Sequence, residues 1–234
     1  MPLIPARLAR AEDGTLWSAH YDDVYHAAAG GLEQARHVFL GGNDLPTRWR
    51  GRDAFAILET GFGCGLNFLA TWSAWHDDPA RCARLHYVSV EKHPFSRDDL
   101  REIHRNWPEL APLSAGLLAA WPTLVSGFHR LEFDGGRVSL TLLFGDALDL
   151  LPQLRASIDA FYLDGFAPSR NAEVWSSPVF RQIGRLARHA MGNQIGRAGH
   201  HHAAHFAKPH ADQAGVGQFA DTDGAIDVLV EQVD

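Results

Sequence analysis

The stretch ETGFGCGLNF, residues 59–68, places three glycines at alternate positions behind an acidic residue. It overlaps the apolar run AFAILET, residues 54–60, which has the length of a strand, and it leads into LNFLATWSAWH, residues 66–76, whose apolar residues have helical spacing. Glycine adopts a positive φ without strain and lets a ligand approach the backbone closely. The stretch therefore predicts a tight turn from a strand into a helix, where backbone N–H groups meet an anionic group.

Strands and helices continue to alternate beyond this turn. Three further runs of strand length are LHYVSVE, RVSLTLLF and DAFYLD, and helices are predicted in SRDDLREIHRNW, with Ser96 as its N-cap, and in SSPVFRQIGRLARHA. This alternation is typical of an α/β protein with a parallel-rich sheet flanked by helices. We expect residues 1–50 to form an irregular or β-rich extension, residues 51–190 a Rossmann-like core and residues 191–234 an atypical tail.

Composition narrows the class of protein. The chain has 234 residues, enough for a sizeable α/β domain, and contains no apolar run long enough to span a bilayer. Its first residues, MPLIPARLARAEDG, lack the apolar segment of a secretory signal, and its two cysteines form no disulfide framework, so we expect a reducing cytoplasm. The net charge of −7 argues against tight, autonomous binding of nucleic acid.

Acidic residues follow the four predicted strands: Glu59, Glu91, Asp146 and Asp164. Ligands of open parallel sheets bind outside the carboxyl ends of the strands, so these four side chains are candidates to line one cleft. The dinucleotide fingerprint is G-x-G-x-x-G, whereas here the third glycine, Gly65, comes one residue early. The pattern favours a ligand with an amino-acid end over a pyrophosphate.

S-adenosylmethionine has a group for each part of this pattern. Its carboxylate suits the amides of the glycine turn, and its cationic amine suits Glu59. Glu91 is placed to accept from both ribose hydroxyls, and Asp146 in FGDAL is placed to accept from the adenine amino group. The glycines concerned are Gly61, Gly63 and Gly65.

The stretch FYLDGFAP, residues 161–168, indicates where chemistry takes place. Methyl transfer is an in-line displacement, and an amine acceptor must present a lone pair. Asp164 is the candidate catalytic residue, because its carboxylate can orient an amine and take its proton. Phe166 is a candidate to stack on a planar base or shield a sulfonium, and Pro168 stiffens the loop. For Phe166 taken alone, burial in a strand-terminal turn is the simpler interpretation.

Five segments, taken together, resemble a known family. The segments are ETGFGCGLNFLATW, YVSVEKHPFSRDDL, FYLDGFAPSRNAEVW, YDDVYH and RHVFLGGNDLPTRW, between about residue 15 and about residue 188. They resemble the methyltransferase domain of the bacterial bifunctional tRNA 5-methylaminomethyl-2-thiouridine biosynthesis protein. The resemblance implies a class I, S-adenosylmethionine-dependent fold and methylation of the 5-aminomethyl nitrogen on the wobble uridine of certain tRNAs. In many bacteria the domain precedes a flavin-dependent oxidase domain that makes the amine, so a separate flavin-dependent oxidase is an expected partner.

The resemblance also assigns residues. It implies that Glu59, the three glycines, Glu91 and Asp146 bind the cofactor. It also implies that Asp164 lies near the transferred methyl group. Two motifs earlier in the chain are expected to close over the cofactor or contact the tRNA, with Tyr25 on the substrate side. Their matching residues are Tyr21, Asp22, Asp23, Tyr25, Asn43, Leu45 and Arg48. No metal is implied.

The resemblance stops near Arg188. Residues 189–234 show no strand or helix period, and we expect either a disordered tail or the product of a shifted reading frame. An i, i+4 histidine pair in this tail has metal-ligand spacing, but no acidic or thiol partner completes a site, so adventitious metal binding is the preferred interpretation. The histidines of this tail segment are His200, His201, His202, His205 and His210.

Two other interpretations remain open at this point. A nicotinamide-dependent oxidoreductase requires the dinucleotide glycine spacing, which Gly65 breaks. A catalytically impaired remnant of the methyltransferase domain follows if the tail has lost the strands that close the sheet. Losing several hundred Å² of buried apolar surface removes several kcal/mol, which rivals the net stability of a domain.

Overall fold

The structure is a computed structural model, and it describes residues 3–10, 16–18, 23–26, 30–166 and 169–192 together with the pairs 206–207, 216–217 and 230–231. The strands in this part of the chain are β1 Ala9–Arg10, β2 Leu16–Ser18, β3 Asp23–His26, β4 Ala54–Thr60, β5 Arg84–Glu91, β6 Gly127–Phe133, β7 Val138–Phe144, β8 Ala160–Tyr162, β9 Phe206–Ala207, β10 Val216–Gly217 and β11 Val230–Glu231. The α-helices are α1 Gly31–Gln34, α2 Leu66–Asp77, α3 Arg97–Ile103, α4 Ala111–Ala120, α5 Ala147–Leu150 and α6 Ser177–Gly192.

A six-stranded sheet forms the centre of the molecule, in the order β6-β7-β5-β4-β8-β9. Every neighbouring pair is parallel except β6 with β7. Glu59 on β4 is in register with Ser89 on β5 and with Tyr162 on β8, so the carboxyl ends of these three strands lie side by side. The predicted α/β class, with a parallel-rich sheet flanked by helices, is confirmed.

Helices cover both faces of this sheet. One hydrophobic core cluster joins α2, α3 and α4 to one face, and a second joins α5 and α6 to the other. Strands that are buried on both faces consist of nearly continuous apolar residues, and β4, β5 and β7 have such runs. This double burial explains why these three strands were predictable from the sequence.

Strand β6 and helix α4 were not predicted from the sequence. Strand β6 lies at the edge of the sheet, and its sequence GFHRLEF alternates between half-buried and exposed positions before it ends at buried Phe133. Alternation with charged residues facing solvent is typical of an antiparallel edge strand. Before the main sheet begins, α1 continues directly into a π-helical segment over Ala35–Gly41.

The N-terminal extension forms a separate three-stranded sheet in the order β1-β2-β3. Its first residues contact the loop that follows β5. The backbone N–H of Ala6 donates to the carbonyl of Pro94 at 3.1 Å, and His93 Nδ1 lies 2.8 Å from the carbonyl oxygen of Ile4. The extension therefore reaches the side of the main sheet where the parallel strands have their carboxyl ends and where the strand-end acids lie. None of the described helices has both the length and the apolar character needed to cross a bilayer.

Within the tail, β9 pairs in parallel with β8, and β10 pairs with β11 in an antiparallel arrangement. The tail sequence did not predict these two-residue strands. The histidines of the tail lie outside the described residues. The prediction of disorder or of a shifted reading frame concerns that same undescribed part of the chain.

Candidate active site

Three glycines with positive φ build the turn between β4 and α2. The φ angles of Gly61, Gly63 and Gly65 are 103°, 54° and 78°. A Cβ atom on Gly61 would lie 2.7 Å from the carbonyl oxygen of Asp164, and one on Gly65 would lie 2.6 Å from the ring of Phe62. Positive φ is costly for other residues, and both positions also lack room for a side chain. The glycine turn predicted from ETGFGCGLNF is present.

The N–H groups of this turn are only partly directed towards a ligand. Gly61 donates to the carbonyl of Val90 at 2.9 Å, and Gly63 donates to Glu91 Oε2 at 2.8 Å. These bonds attach the turn to the end of β5. Helix α2, in contrast, begins after Gly65 without a side-chain cap. The N-terminus of α2 is therefore the part of the turn that suits an anionic carboxylate.

Glu91 ends β5 beside the glycine turn. Its Oε1 accepts the backbone N–H of His93 at 2.7 Å, while its Oε2 accepts that of Gly63. Burial raises the pKa of Glu91, although hydrogen bonds from the backbone oppose the shift. Contact of Glu91 with ribose hydroxyls stays a prediction.

Glu59 lies beneath the turn rather than in an open cleft. It is 1% exposed, and its two oxygens accept from Asn67 Nδ2 at 2.9 Å and Ser89 Oγ at 2.7 Å. Burial, and then the charge of Asp164, raise its pKa well above the ordinary value of a glutamate. The expectation that Glu59 contacts the amine of a ligand directly does not agree with this burial. Its carboxyl group holds the side-chain amide of Asn67 by a hydrogen bond instead.

Asn67, in the first turn of α2, was not identified from the sequence. Its Nδ2 donates to Glu59 Oε1 at 2.9 Å and to Asp164 Oδ2 at 2.7 Å, and the residue is 7% exposed. The sequence did contain a signal for this role: Asn67 is a polar residue in the first turn of a largely apolar helix, directly after the glycine turn. Asn67 connects the acid of β4 to the acid that follows β8.

Asp164 follows β8 and faces the end of β4. Its backbone carbonyl accepts Thr60 Oγ1 at 3.1 Å, and its carboxylate accepts from Asn67. Burial raises the pKa of Asp164 to about 6, while the hydrogen bond from Asn67 lowers it. A carboxylate with this pKa is ionised at pH 7 and is a competent acceptor for the proton of an amine. The structure thus brings together Asp164, Glu91 and the glycine turn, as the sequence predicted.

Asp146 has partners other than those expected. Its Oδ1 caps α5 by accepting the N–H of Leu148 at 2.9 Å, and its Oδ2 pairs with Lys92 Nζ at 2.8 Å. Burial raises the pKa of Asp146, but the hydrogen bonds from Lys92 and Leu148 outweigh burial, so the net shift is downward. Lys92 also contacts Glu173 Oε2 at 2.5 Å. Contact of Asp146 with an adenine amino group stays a prediction.

The three expected substrate contacts are described to different extents. Phe166 is half-buried in the loop after β8, and its carbonyl accepts Trp175 Nε1 at 2.8 Å. Tyr25 lies on β3 in the N-terminal sheet. Pro168 lies outside the described residues. Substrate contact by all three residues stays a prediction.

The motif with Asn43, Leu45 and Arg48 lies away from this site. Arg48 donates to the backbone carbonyl of Asp159 at 2.5 Å, and Asp159 immediately precedes β8. Asn43 is buried and donates to the carbonyl of Phe39 at 3.0 Å. Arg48 therefore lies at the amino end of β8, opposite the end that leads to Asp164. This packing does not support closure over the cofactor by Arg48, and contact of these residues with the tRNA stays a prediction.

A buried histidine supports the glycine turn from the other side. His104 Nε2 lies 2.8 Å from the carbonyl oxygen of Cys64, and its Nδ1 lies 2.7 Å from Ser114 Oγ. Because a carbonyl only accepts, Nε2 carries the proton. Burial lowers the pKa of His104 and raises that of the Cys64 thiol to about 12. His104 thus holds the turn as a neutral imidazole, and burial favours the protonated thiol of Cys64.

The charges of the site fit a cationic ligand. Among the described residues, no lysine or arginine forms an ion pair with Glu59, Glu91 or Asp164. Buried carboxylates are normally paired with positive charge. The sulfonium and ammonium groups of S-adenosylmethionine would supply that charge, and the N-terminus of α2, which has no side-chain cap, would suit its carboxylate. The residues present therefore fit this cofactor.

Comparisons with known proteins agree with this geometry. A family of proteins described as S-adenosyl-L-methionine-dependent methyltransferases matches residues 108–196. The curated tRNA 5-methylaminomethyl-2-thiouridine biosynthesis bifunctional protein MnmC of Aromatoleum aromaticum is 64% identical over 187 residues, which is 80% of this chain and 29% of that protein. The protein of the same name from Burkholderia multivorans is 62% identical over 188 residues, covering 79% of this chain and 29% of that protein.

A solved structure extends the comparison to the fold. The crystal structure of MnmC2 from Aquifex aeolicus has a TM-score of 0.55 and 25% sequence identity, and it covers 78% of this chain and 57% of that chain. The chain spans less than a third of the length of these curated relatives, because both alignments cover 29% of the relative. The match therefore concerns one part of those proteins.

Proposed function

The chain belongs to the family of S-adenosylmethionine-dependent methyltransferases, and from that premise we propose that it methylates the 5-aminomethyl nitrogen of a wobble uridine in tRNA. The observation that carries this proposal is the convergence of Asp164, Asn67 and Glu91 with the glycine turn at one edge of the sheet. The matched relatives bear the name of a tRNA-modifying protein, which supports the nucleotide substrate. The family match does not favour a nicotinamide-dependent oxidoreductase.

S-adenosylmethionine supplies an electrophilic methyl group on a sulfonium. We assign its amino-acid end to the turn of Gly61, Gly63 and Gly65 and to the N-terminus of α2, and its ribose to Glu91. Glu59 contributes indirectly, because its buried carboxylate fixes Asn67. Asp146 is assigned to the adenine end, where Lys92 holds its carboxylate ionised.

Asp164 has the role of a proton acceptor. An aminomethyl nitrogen is mostly an ammonium ion at neutral pH, and it must lose a proton to attack a methyl group. The carboxylate of Asp164 orients this nitrogen by a hydrogen bond and takes its proton. With a pKa raised by burial to about 6, the carboxylate is a stronger base than an ordinary aspartate and remains ionised at pH 7.

A row of arginines near the site supports a phosphate-rich partner despite the net charge of −7. Arg97, Arg101 and Arg105 line a cleft of about 730 Å³ between α3 and α4. His104 also lines this cleft and bonds to the glycine turn through Cys64. Contacts with a few phosphates predict modest tRNA affinity that falls steeply with salt, and binding that is equal at 50 and 200 mM salt would contradict an electrostatic contribution.

The test is a methyl-transfer assay with labelled S-adenosylmethionine on tRNAs that differ only at the wobble uridine. We expect transfer to the 5-aminomethyl form, and none to the 5-carboxymethylaminomethyl or unmodified forms. The Asp164→Ala variant is expected to lose about 10²- to 10⁴-fold in rate, which is the usual contribution of general base catalysis. Failure of the parent chain to methylate the aminomethyl form, in a preparation that binds S-adenosylmethionine, would overturn the substrate assignment.

Two further assignments complete the proposal. The aminomethyl group requires a reaction that removes a carboxymethyl group, and we assign it to a flavin-dependent oxidase acting on the same tRNA. Conversion of carboxymethylaminomethyl tRNA only after addition of such an oxidase would support this order of reactions. We also assign the protein to the cytoplasm, where tRNA is its partner.

A further inference from the structure

Asn67 uses both hydrogens of its amide to join two carboxylates. One hydrogen goes to Glu59 Oε1 at 2.9 Å and the other to Asp164 Oδ2 at 2.7 Å. Its backbone carbonyl accepts Thr71 Oγ1 at 2.7 Å, within the same helix. An amide that donates to two acidic acceptors has only one satisfactory orientation, because the reversed amide would place its oxygen against both carboxylates.

We propose that Asn67 is a positioning residue, which holds the carboxylate of Asp164 in the orientation that receives the proton of the substrate amine. This inference rests on the proposed function. Asn67 binds Oδ2 and so fixes the plane of the carboxylate, whose other acceptor positions receive the Gly165 N–H and the substrate amine. Because Asn67 is also held by Glu59, the buried acid of β4 serves to fix the amide rather than to contact the ligand.

The surroundings of Asp164 make this donor important. Within the described part of the chain, the ionisable groups that act on Asp164 or respond to its charge lie on β4, the glycine turn and β5, and none of these groups is a cation. They are Glu59, Cys64, Tyr87 and Glu91. The hydrogen bond from Asn67 favours the ionised form of Asp164 against burial and against the charge of Glu91, and the Gly165 N–H is the other donor to that carboxylate. Without Asn67, the pKa of Asp164 would rise further.

Ser89 offers a matched control. It donates to the other oxygen of Glu59 at 2.7 Å, whereas the side-chain donor to the carboxylate of Asp164 is Asn67. A variant Ser89→Ala removes a buried hydrogen bond from the same acid, and Asn67→Leu removes one from both acids. If Asn67 only stabilised Glu59, the two variants would have equal effects on catalysis.

The experiment measures the pH dependence of methyl transfer for the parent, Asn67→Leu and Ser89→Ala. We expect Asn67→Leu to lose about 10- to 100-fold in kcat at pH 7, with the acid limb of the profile moved up by about one pH unit. The KM for tRNA should change by less than about threefold, because Asn67 holds the base and not the RNA. Ser89→Ala should keep the acid limb of the parent. Equal limbs in Asn67→Leu and the parent would overturn the proposal.

A second measurement does not depend on turnover. The carboxyl carbon of Asp164, labelled with ¹³C and assigned with Asp164→Asn, reports its pKa by NMR titration, and calorimetry reports S-adenosylmethionine binding. We expect the titration to move upward in Asn67→Leu and to stay in place in Ser89→Ala. If Asn67→Leu does not fold, Asn67→Ser is read in the same way. An unchanged titration refutes the role of Asn67, whereas a moved titration in a protein that methylates no tRNA refutes only the proposed substrate.

Discussion

The two ends of the parallel sheet both carry buried or half-buried acids, but they surround them differently. At the amino end, Asp159 accepts from Arg52 at 2.6 Å and from the N–H of Ala56 at 2.8 Å, and Asp78 accepts from Arg50 and Trp49 at 3.0 Å each. At the carboxyl end, Asp146 pairs with Lys92, but among the described residues Glu59, Glu91 and Asp164 accept only from amides and hydroxyls.

This difference separates architecture from function. An acid that is paired with a guanidinium has its charge balanced within the folded protein, and the pair contributes to stability. Burial raises the pKa of Glu59, Glu91 and Asp164, and none of the lysines and arginines in the described part of the chain pairs with these three carboxylates. Such an arrangement is costly unless a cationic ligand completes it. The comparison predicts that substitutions at the two ends will have opposite consequences.

The largest effect is expected from Gly61→Ala at the carboxyl end. The new Cβ would lie 2.7 Å from the backbone oxygen of Asp164, at a φ of 103°. Left-handed strain and overpacking together predict a loss of about 2–4 kcal/mol in the free energy of unfolding, with loss of methyl transfer. Gly51→Ala is the control at the amino end, since its φ is 70° and its Cβ would meet nothing within 4 Å. Denaturant unfolding that gives equal losses for both variants would refute the steric argument.

The next effect concerns pH. The pKa of Asp164 is about 6 in the folded protein, against a reference of 3.8, so between these values the folded state holds a proton that the unfolded state releases. The free energy of unfolding therefore falls as pH rises from about 4 to about 6, and this group lowers it by about 3 kcal/mol above that window. We expect Asp164→Asn to be more stable than the parent at pH 8 and to unfold with a weaker pH dependence. Lower stability of Asp164→Asn at pH 8 would contradict this sign.

The opposite result is expected for Asp159→Asn at the other end of β8. Arg52 then loses its carboxylate partner, and Ala56 N–H loses a charged acceptor. Loss of a charge-assisted hydrogen bond predicts about 1–3 kcal/mol of destabilisation, with a methyl-transfer rate within a few-fold of the parent below the melting temperature. Thermal melts beside kinetic assays separate the two quantities. A rate loss as large as that of Asp164 variants would show that the amino end takes part in catalysis.

The smallest effect is expected from Lys92→Ala. Lys92 joins Asp146 to Glu173 at the rim of the site, where its side chain is 39% exposed. Exposed ion pairs contribute about 0–1 kcal/mol, and salt screens them. Denaturant unfolding at low and high salt should show a small difference that disappears at high salt. A loss above about 2 kcal/mol would mean that Lys92 belongs to the buried architecture and not to the rim.

Much of the fold was predictable because double burial leaves a strong pattern. AFAILET matches β4, Ala54–Thr60, residue for residue, and Ser96 caps α3 by accepting the N–H of Asp99 at 3.1 Å, as predicted. The sequence analysis missed the π-helical segment over Ala35–Gly41, because the residue pattern hardly distinguishes π-helical from α-helical hydrogen bonding. It also missed strand β6, because an edge strand has no continuous apolar run.

The site was predictable only in part. Strand ends and glycines identified Asp164, Glu91 and the turn, because topology alone brings them together. The burial of Glu59 and the bridge through Asn67 depend on which way side chains point after the turn, and spacing does not determine that direction. Arg48 matched a motif shared with the family, but a shared motif does not distinguish a ligand contact from a packing contact such as its bond to Asp159.

The contact between Gly61 and the carbonyl of Asp164 has a consequence for shuffled enzymes. Two segments about a hundred residues apart meet there, where the carbonyl oxygen of Asp164 lies against Gly61 and accepts the hydroxyl of Thr60. A chimera whose crossover falls between the two segments, joining the first half of one parent to the second half of another, should keep this junction intact if the first parent has glycine at position 61 and a hydroxyl side chain at position 60. Compatibility of parents at this point is decided by two residue types rather than by overall similarity.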